Sequence, residues 1–196
     1  LYENCRQYKV KKIIYASSAA IYGEPLYLGI DEKHPVKPLS FYGLSKYLAE
    51  IYLRYYAGLF GLKFTILRYA NVYGPRQRSD GEGGVIAIFL SSLLKGEAPI
   101  IFGQGEQSRD FIYVADIVEA NILAIKSGVP GSVFNIGGGS RITIRDLIRE
   151  IEKNCDKDAL INQEVSQKGD VSDTLADVKK AESDLNWNPN VTIQEG

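Results

Sequence analysis

A tyrosine and a lysine four residues apart are the first candidates for chemistry in this sequence. Tyr42 and Lys46 stand in the segment Tyr-Gly-Leu-Ser-Lys, and on a helix this spacing places both side chains on one face. A phenol has an ordinary pKa of about 10, and lowering it to 7 costs about 4 kcal/mol. A neighbouring ammonium supplies part of that energy, and an oxidised nicotinamide would add to it. The pair therefore predicts a general base for an alcohol.

The surrounding sequence distinguishes this pair from another with the same spacing. Tyr8 and Lys12 are also four residues apart, but they lie where a charged helix joins a strand, and we assign them no role. Ser17 and Ser18, in contrast, end a predicted strand, and open α/β sheets bind ligands at the carboxyl ends of their strands. A serine there can hydrogen-bond a substrate hydroxyl while the tyrosine takes its proton. The alternative is a partly exposed pair on an ordinary core helix.

The composition restricts the classes of protein and site. Of 196 residues, 23 are Lys or Arg, 24 are Asp or Glu and 45% are hydrophobic, which is enough for a core. The net charge of −1 argues against a nucleic-acid partner, and no apolar run reaches the ~20 residues that would span a membrane. Two cysteines, Cys5 and Cys155, and one histidine, His34, argue against a disulfide framework and a metal site. We expect a reducing, cytoplasmic location.

Strand-like and helix-like segments alternate along the chain. Strands are predicted at residues 10–17, 63–68, 100–102, 111–114 and 132–136. Helices are predicted at residues 1–8, 42–60, 85–94, 115–127 and 178–185, and after the cap residue Thr143. Strands that alternate with helices are typical of βαβ units, so we predict an α/β fold with a parallel sheet.

The helix predicted at residues 42–60 has two faces of different character. One face carries Tyr42, Lys46, Ala49 and Leu53. The opposite face carries an apolar stripe made of Leu44, Tyr47, Leu48, Ile51, Tyr52 and Tyr55. A reactive face turned inward and a broad apolar face turned outward predict a second partner. We expect a homodimer that forms through this helix.

Ordered blocks across nearly the whole chain carry a family resemblance. They are YASSAAIYGEP (15–25), FYGLSKYLAE (41–50), LRYANVYGPRQ (67–77), IFGQGEQSRDFIYVADIVEA (101–120), FNIGGG (134–139) and GDVSDTLADVKKAESDLNWNP (169–189). The sequence resembles the extended short-chain dehydrogenase/reductase family, among the NAD-dependent epimerases of the UDP-glucose 4-epimerase type. The resemblance implies NAD as cofactor. It also implies a Rossmann-like parallel sheet with a smaller α/β substrate lobe.

The resemblance implies roles on the catalytic and cofactor side. Ser18, Tyr42 and Lys46 match the catalytic residues of the family. Tyr42 would remove the proton of the sugar 4-hydroxyl, Lys46 would hold the nicotinamide ribose and favour the phenolate, and Ser18 would orient the sugar hydroxyl. The implied cofactor-binding residues are Ala16, Ser17, Tyr42, Lys46, Tyr69 and Ala70.

The resemblance also implies a binding site for a UDP-sugar. Asn71 matches a residue that contacts the phosphates, Val85 and Phe102 match the wall around the base, and Arg109 matches an arginine that binds the diphosphate and ribose. A guanidinium fork suits a diphosphate, although an ion pair with Asp110 is the alternative for Arg109. The implied substrate-binding residues are Ser18, Asn71, Val85, Phe102, Arg109, Asp170 and Thr174.

The residues after Ser18 distinguish the reactions within the family. Family dehydratases place Asp-Glu there and decarboxylating relatives place Glu at the second position, but this chain has Ala19 and Ala20. The remaining reaction is the epimerisation of UDP-glucose and UDP-galactose at C4, through a 4-keto sugar. The small side chain of Thr174 implies room for an N-acetyl group. The alternatives are a nucleotide-sugar dehydratase or reductase of the same family, or a truncated non-catalytic binding fragment.

Several departures from the family pattern shape the expected organisation. The fingerprint G-x-x-G-x-x-G is absent, so we expect the first βαβ units to lie outside this chain, and the chain alone to bind NAD poorly and be inactive. We expect residues 1–78 to form the C-terminal half of the NAD-binding domain. Residues 79–196 would mainly form the sugar-nucleotide lobe, with 110–136 returning to the main domain. Gln167 stands where the family has a second arginine. The spacing of Gly137 to Gly139 predicts a turn.

Overall fold

The helices and strands of the chain follow the predicted α/β alternation. A computed structural model describes residues 1–80, 83–165 and 171–196. The helices are α1 (Tyr2–Gln7), α2 (Phe41–Phe60), α3 (Val85–Lys95), α4 (Val114–Lys126), α5 (Ile144–Cys155) and α6 (Lys179–Leu185). The strands are β1 (Ile13–Ser18), β2 (Phe64–Tyr69), β3 (Asn71–Tyr73), β4 (Ile100–Phe102), β5 (Ser108–Tyr113), β6 (Ser132–Ile136), β7 (Arg141–Thr143) and β8 (Asn162–Glu164).

A parallel sheet brings the carboxyl ends of three strands to one edge. Its order is β1-β2-β6, and Ser18 stands beside Tyr69, which in turn stands beside Ile136. Strand β2, in the middle, is buried along most of its length, as expected for a parallel strand that is covered on both faces. The predicted Rossmann-like parallel sheet is confirmed.

A second, smaller group of elements stands next to this sheet. Strand β5 pairs with β3 in parallel and with β7 in antiparallel, and β4 pairs with β8. Helices α3 and α5 pack on these strands through the buried side chains of Phe89, Leu93, Leu147 and Ile148. The chain then returns through α6 and Trp187, which belongs to the core of the parallel sheet. The molecule therefore has the predicted smaller α/β lobe.

The sequence analysis missed strands β3, β7 and β8 and placed the start of β5 too late. Strand β5 begins at Ser108, not at Phe111, and its polar residues Ser108 and Asp110 are buried. Their hydrogen-bonding groups are satisfied inside the protein, so the strand needs no apolar pattern there. The three missed strands are each three residues long, which is too short for a periodic signal.

Among the described residues, no helix combines the length and the apolar character that a membrane crossing requires. The same ranges contain no cluster of three or more His, Cys, Asp or Glu side chains that could hold a metal ion.

The start of α2 lies unusually close to the end of β1. Ser40 caps the helix, because its hydroxyl accepts a hydrogen bond from the Gly43 amide at 3.1 Å. A side chain at Gly43 would place its Cβ 2.5 Å from the carbonyl oxygen of Ala20, in the short 3₁₀ turn Ala19–Ile21. Glycine at this position therefore lets the helix carrying Tyr42 approach the strand end carrying Ser18.

Two glycines of α2 form a matched test of this close contact. We expect Gly43→Ala to lower the free energy of unfolding by about 2 kcal/mol, because the new methyl group meets backbone that cannot turn away. Gly58→Ala is the control, since its Cβ would meet nothing within 4 Å, and we expect it to stabilise the helix by up to about 1 kcal/mol. Urea denaturation of both variants measures the difference. Equal effects of the two substitutions would contradict the close contact.

Candidate active site

One cleft collects most of the residues proposed for chemistry and binding. It has a volume of about 530 Å³ and lies where β1, β2 and β5 meet the start of α2 and α3. Among the described residues that line it are eleven of the sequence-predicted ones, namely Ala16, Ser17, Ser18, Tyr42, Lys46, Tyr69, Ala70, Asn71, Val85, Arg109 and Thr174. The strand-end position of the serines and the helical spacing of Tyr42 and Lys46 therefore converge on one space.

The ammonium of Lys46 lies beside the phenol of Tyr42. Its Nζ is 5.7 Å from the centre of the Tyr42 ring and donates a hydrogen bond to the carbonyl oxygen of Ala16 at 3.0 Å. The Tyr42 side chain is about half exposed to the cleft. A second phenol, Tyr15, is equally far from Nζ, but burial raises the pKa of Tyr15 to about 12. Tyr42 is thus the better placed of the two to act as a base.

The two serines at the end of β1 have different surroundings. Ser18 is half-buried, and its Oγ accepts a hydrogen bond from the Ala20 amide at 3.1 Å, which leaves its O–H able to donate into the cleft. Ser17 is buried, and its hydroxyl donates to Glu50 Oε1 at 2.5 Å. The side chain of Ser17 is therefore committed to the protein interior, and only its backbone is left for a cofactor contact.

The residues that follow β2 are fixed by hydrogen bonds to the second lobe and to α4. The hydroxyl of Tyr69 exchanges hydrogen bonds with the side-chain amide of Asn121, at 3.0 and 2.8 Å. The amide nitrogen of Asn71 donates to the carbonyl oxygen of Asp110 at 2.9 Å. Asn121 was missed in the sequence analysis, since a polar residue within a surface helix gives no signal of its partner.

Arg109, in β5, and Thr174, in a segment bonded to β5, also line the cleft. The guanidinium of Arg109 donates to the carbonyl oxygens of Ser108 and Ser172, at 2.9 and 3.3 Å. The hydroxyl of Thr174 accepts from the Asp110 amide at 3.2 Å. The segment that carries Thr174 runs alongside β5, because the carboxylate of Asp173 accepts a hydrogen bond from the hydroxyl of Ser108.

The carboxylate of Asp110 joins three parts of the chain. It is buried and accepts hydrogen bonds from the amides of Gly138 at 2.7 Å and Ala176 at 3.0 Å. Two backbone amides thus supply hydrogen bonds to this carboxylate. Residues Gly137 to Gly139 form a turn around it, and a Cβ at Gly138 would lie 2.0 Å from the carbonyl oxygen of Phe111. Gly137 and Gly138 therefore leave no room for a side chain next to Asp110 and Phe111.

Two proposed substrate residues are not part of the described cleft. Phe102 lies in β4, which pairs with β8, and it is not among the described residues that line this cleft. Its contact with the nucleotide base stays a prediction. Asp170, together with Gln167 and Lys168, lies outside the described residues.

The buried carboxyl group of Asp110 makes the stability of the folded protein depend on pH. Burial raises its pKa from 3.8 to about 6, although its two amide donors work in the opposite direction. The folded state therefore binds this proton more tightly than the unfolded state. The resulting stability is complete below pH 4 and is lost as the pH rises through about 6.

We expect Asp110→Asn to lack this dependence. Relative to the variant, the wild type should lose up to about 3 kcal/mol of unfolding free energy between pH 4 and pH 7, as measured by urea denaturation. Asp184→Asn, on the exposed surface of α6, is the control and should follow the wild type at every pH. A constant difference between wild type and Asp110→Asn across this range would contradict the argument.

Comparisons with known proteins agree with this geometry. The family model described as the NAD dependent epimerase/dehydratase family matches residues 1–137. A solved UDP-glucose 4-epimerase of Thermotoga maritima, in complex with UDP-glucose, is 44% identical, with a TM-score of 0.96 over 100% of this chain and 64% of that one. A UDP-N-acetylglucosamine 4-epimerase of Methanobrevibacter ruminantium is 35% identical, with a TM-score of 0.93 over 100% of this chain and 64% of that one.

A relative with a different activity is also similar. The dTDP-4-dehydro-6-deoxyglucose reductase of Escherichia coli is 37% identical over an alignment of 198 positions that covers 100% of this chain and 61% of the relative. The chain thus spans somewhat less than two thirds of the length of these proteins. The family match covers most of the chain, and the strand ends, the Tyr42–Lys46 pair and the cleft have the arrangement just described. The chain therefore belongs to the NAD-dependent epimerase/dehydratase family, within the extended short-chain dehydrogenases/reductases.

Proposed function

We propose that the whole protein is a nucleotide-sugar 4-epimerase that interconverts UDP-glucose and UDP-galactose. The observation that carries the proposal is the convergence of the Tyr42 phenol, the Lys46 ammonium and the Ser18 hydroxyl on one cleft. The residues after Ser18 support epimerisation over dehydration, because Ala19 and Ala20 provide no carboxylate for the elimination of water. We also propose a cytoplasmic location.

The described residues fit the nicotinamide end of NAD. The carboxyl end of β1 is open at Ala16, and Lys46 lies there with donor capacity beyond its bond to the Ala16 carbonyl. We propose that Ala16, Ser17, Tyr69 and Ala70 contact the cofactor and that Lys46 donates to its ribose hydroxyls. Bound NAD supplies reversible hydride transfer at C4 of the sugar.

The protein's own residues then handle the proton and the geometry. Tyr42 would take the proton of the 4-hydroxyl and would return it to the same oxygen after the sugar has turned its other face. Lys46 stabilises the phenolate by its charge. Ser18 donates a hydrogen bond that orients the reacting oxygen. Mass and net redox state are unchanged by the cycle.

The other wall of the cleft is the proposed site of the sugar nucleotide. We propose that Arg109 and Asn71 bind the diphosphate and that Val85 and Phe102 contact the base. We also propose Asp170 as a substrate-binding residue. Thr174 lines the cleft with a small side chain, which leaves room for an N-acetyl group on the sugar. We propose residues 1–78 with 110–136 as the cofactor domain, and the rest of 79–196 as the substrate lobe.

A reductase is the second candidate, because the similar Escherichia coli protein has that activity in its name. Reduction consumes NADH or NADPH and changes the mass of the sugar, whereas epimerisation does neither. Incubation of the whole protein with UDP-glucose, UDP-N-acetylglucosamine or a 4-keto sugar nucleotide, followed by product analysis, separates the two.

We expect Tyr42→Phe to lower kcat of the whole protein by at least about 100-fold, because the base is removed while the ring is kept. Tyr8→Phe is the matched control. Tyr8 belongs to the other pair with the same spacing, is exposed, and its lysine partner Lys12 binds the carbonyl oxygen of Ala124 instead. The kcat of Tyr8→Phe should equal that of the wild type. Full turnover by Tyr42→Phe would remove this tyrosine from the mechanism.

We further propose a homodimer that forms through α2. The exposed apolar side chains along one side of this helix, here called the α2 stripe, are Leu44, Leu48, Tyr52, Tyr55 and Leu59. Two members of the predicted stripe are half-buried, namely Tyr47, which packs against the cluster that contains Ile21, and Ile51. The α2 stripe carries no charge, which suits a self-complementary contact between two copies.

Replacing one residue of the α2 stripe with a charge tests the dimer. We expect Leu48→Glu to convert the whole protein to a monomer, because the contact would bury an unpaired carboxylate. Val118→Glu, on the exposed side of α4, is the control and should keep the wild-type mass. Analytical ultracentrifugation measures both. A monomeric wild type, or a dimeric Leu48→Glu, would contradict the proposal.

A further inference from the structure

A buried polar cluster lies one helical turn beneath the Tyr42–Lys46 pair. Glu50 follows Lys46 by four residues on α2, yet its side chain is 0% exposed. Its carboxylate accepts hydrogen bonds from Ser17 Oγ at 2.5 Å, from Arg68 Nε at 3.1 Å and from Arg68 Nη2 at 2.8 Å. Arg68 is 3% exposed. A charged helix residue four positions from a lysine normally faces solvent, so the sequence alone does not indicate this cluster.

The cluster continues from Arg68 to the opposite wall of the cleft. Arg68 Nη1 donates to the hydroxyl of Tyr22 at 2.9 Å, and this hydroxyl donates to Asn135 Oδ1 at 2.7 Å. Burial raises the pKa of Tyr22 to about 12, so its proton stays in place as a donor. Asn135 in turn donates to the carbonyl oxygen of Ile30, which lines the cleft. The hydrogen bonds therefore link α2, β1, β2 and β6.

Glu50 and Lys46 bind consecutive residues of β1. Lys46 Nζ holds the carbonyl oxygen of Ala16, and Glu50 holds the hydroxyl of Ser17, while Ser18 is the next residue. These two contacts, one turn apart on α2, fix the position of the helix along β1 and its rotation about its own axis. The face of α2 that carries Tyr42 is thereby aligned with Ser18.

A hydrogen bond fixes the direction and the distance between its donor and its acceptor, whereas an apolar contact of the same volume fixes neither. Replacement of a buried ion pair by apolar residues is often neutral or favourable for stability. Fold stability alone therefore does not require charges here, but a defined position of the helix does, since a displacement of about 1 Å can cost 100-fold in rate.

We propose that Glu50 is a positioning residue, which acts through Ser17 and Arg68 to hold α2 in the register that places Tyr42 and Lys46 against Ser18. The proposal rests on the proposed function for its effect on rate, but its geometric part can be tested independently of activity.

The first test separates stability from rate in the whole protein. The double variant Glu50→Leu/Arg68→Met removes both charges and fills the space. We expect its Tm to stay within about 5 °C of the wild type, while kcat falls at least about 10-fold and KM for the UDP-sugar changes less than about 3-fold. Arg54→Gln is the control, because Arg54 reaches Glu50 from the solvent side at 3.8 Å, and it should keep the wild-type kcat. A double variant with wild-type Tm and wild-type kcat overturns the proposal.

The second test needs neither activity nor the double variant. Glu50→Asp keeps the charge but shortens the side chain by one methylene. We expect its crystal structure to show α2 displaced over β1 and the hydrogen bond from Lys46 Nζ to the Ala16 carbonyl lengthened beyond about 3.5 Å. Tyr42 and Lys46 in their wild-type positions would overturn the positioning role. An inactive wild-type protein would instead refute the proposed function, and this structure would still decide the role of Glu50.

Discussion

The placement of one ammonium group constrains the rest of the site. Lys46 Nζ must lie near the phenol of Tyr42 and at the same time reach the carbonyl oxygen at the end of β1. Both conditions hold only if α2 is seated closely on the strand end. The absence of a side chain at Gly43, the cap at Ser40 and the buried pair of Glu50 and Arg68 all serve that seating.

The same electrostatic reasoning explains why neighbouring phenols differ. Tyr15 and Tyr42 both lie beside Lys46, yet burial disfavours the phenolate of Tyr15, whereas Tyr42 opens into the cleft. Tyr22 is buried further still and serves as a relay of hydrogen bonds. Exposure to the cleft, more than distance from the lysine, therefore selects the residue that can exchange a proton with a ligand.

The sequence predicted the features that depend on residues close together along the chain. The helix that carries Tyr42, the strand that ends at Ser18 and the parallel sheet all follow from periodicity, caps and glycines. The sequence did not show that Ser17 turns inward, because its partner Glu50 is distant in sequence. It also did not show that β4, which carries Phe102, pairs with β8, because strand β8 is too short to be recognised. Pairings between distant polar residues, such as Arg68 with Tyr22, have no local signature.

The hydrogen bonds of Asp110 have a mechanical consequence. One oxygen holds the segment that follows β6 of the parallel sheet, and the other holds the segment that begins with Thr174 on the wall of the cleft. Moving these two segments apart would break both bonds, and water would have to replace the two amide donors at this buried carboxylate. The spacing of the two segments at this point is therefore set by two hydrogen bonds to a single side chain, so that a wider spacing must come with the loss of at least one of them.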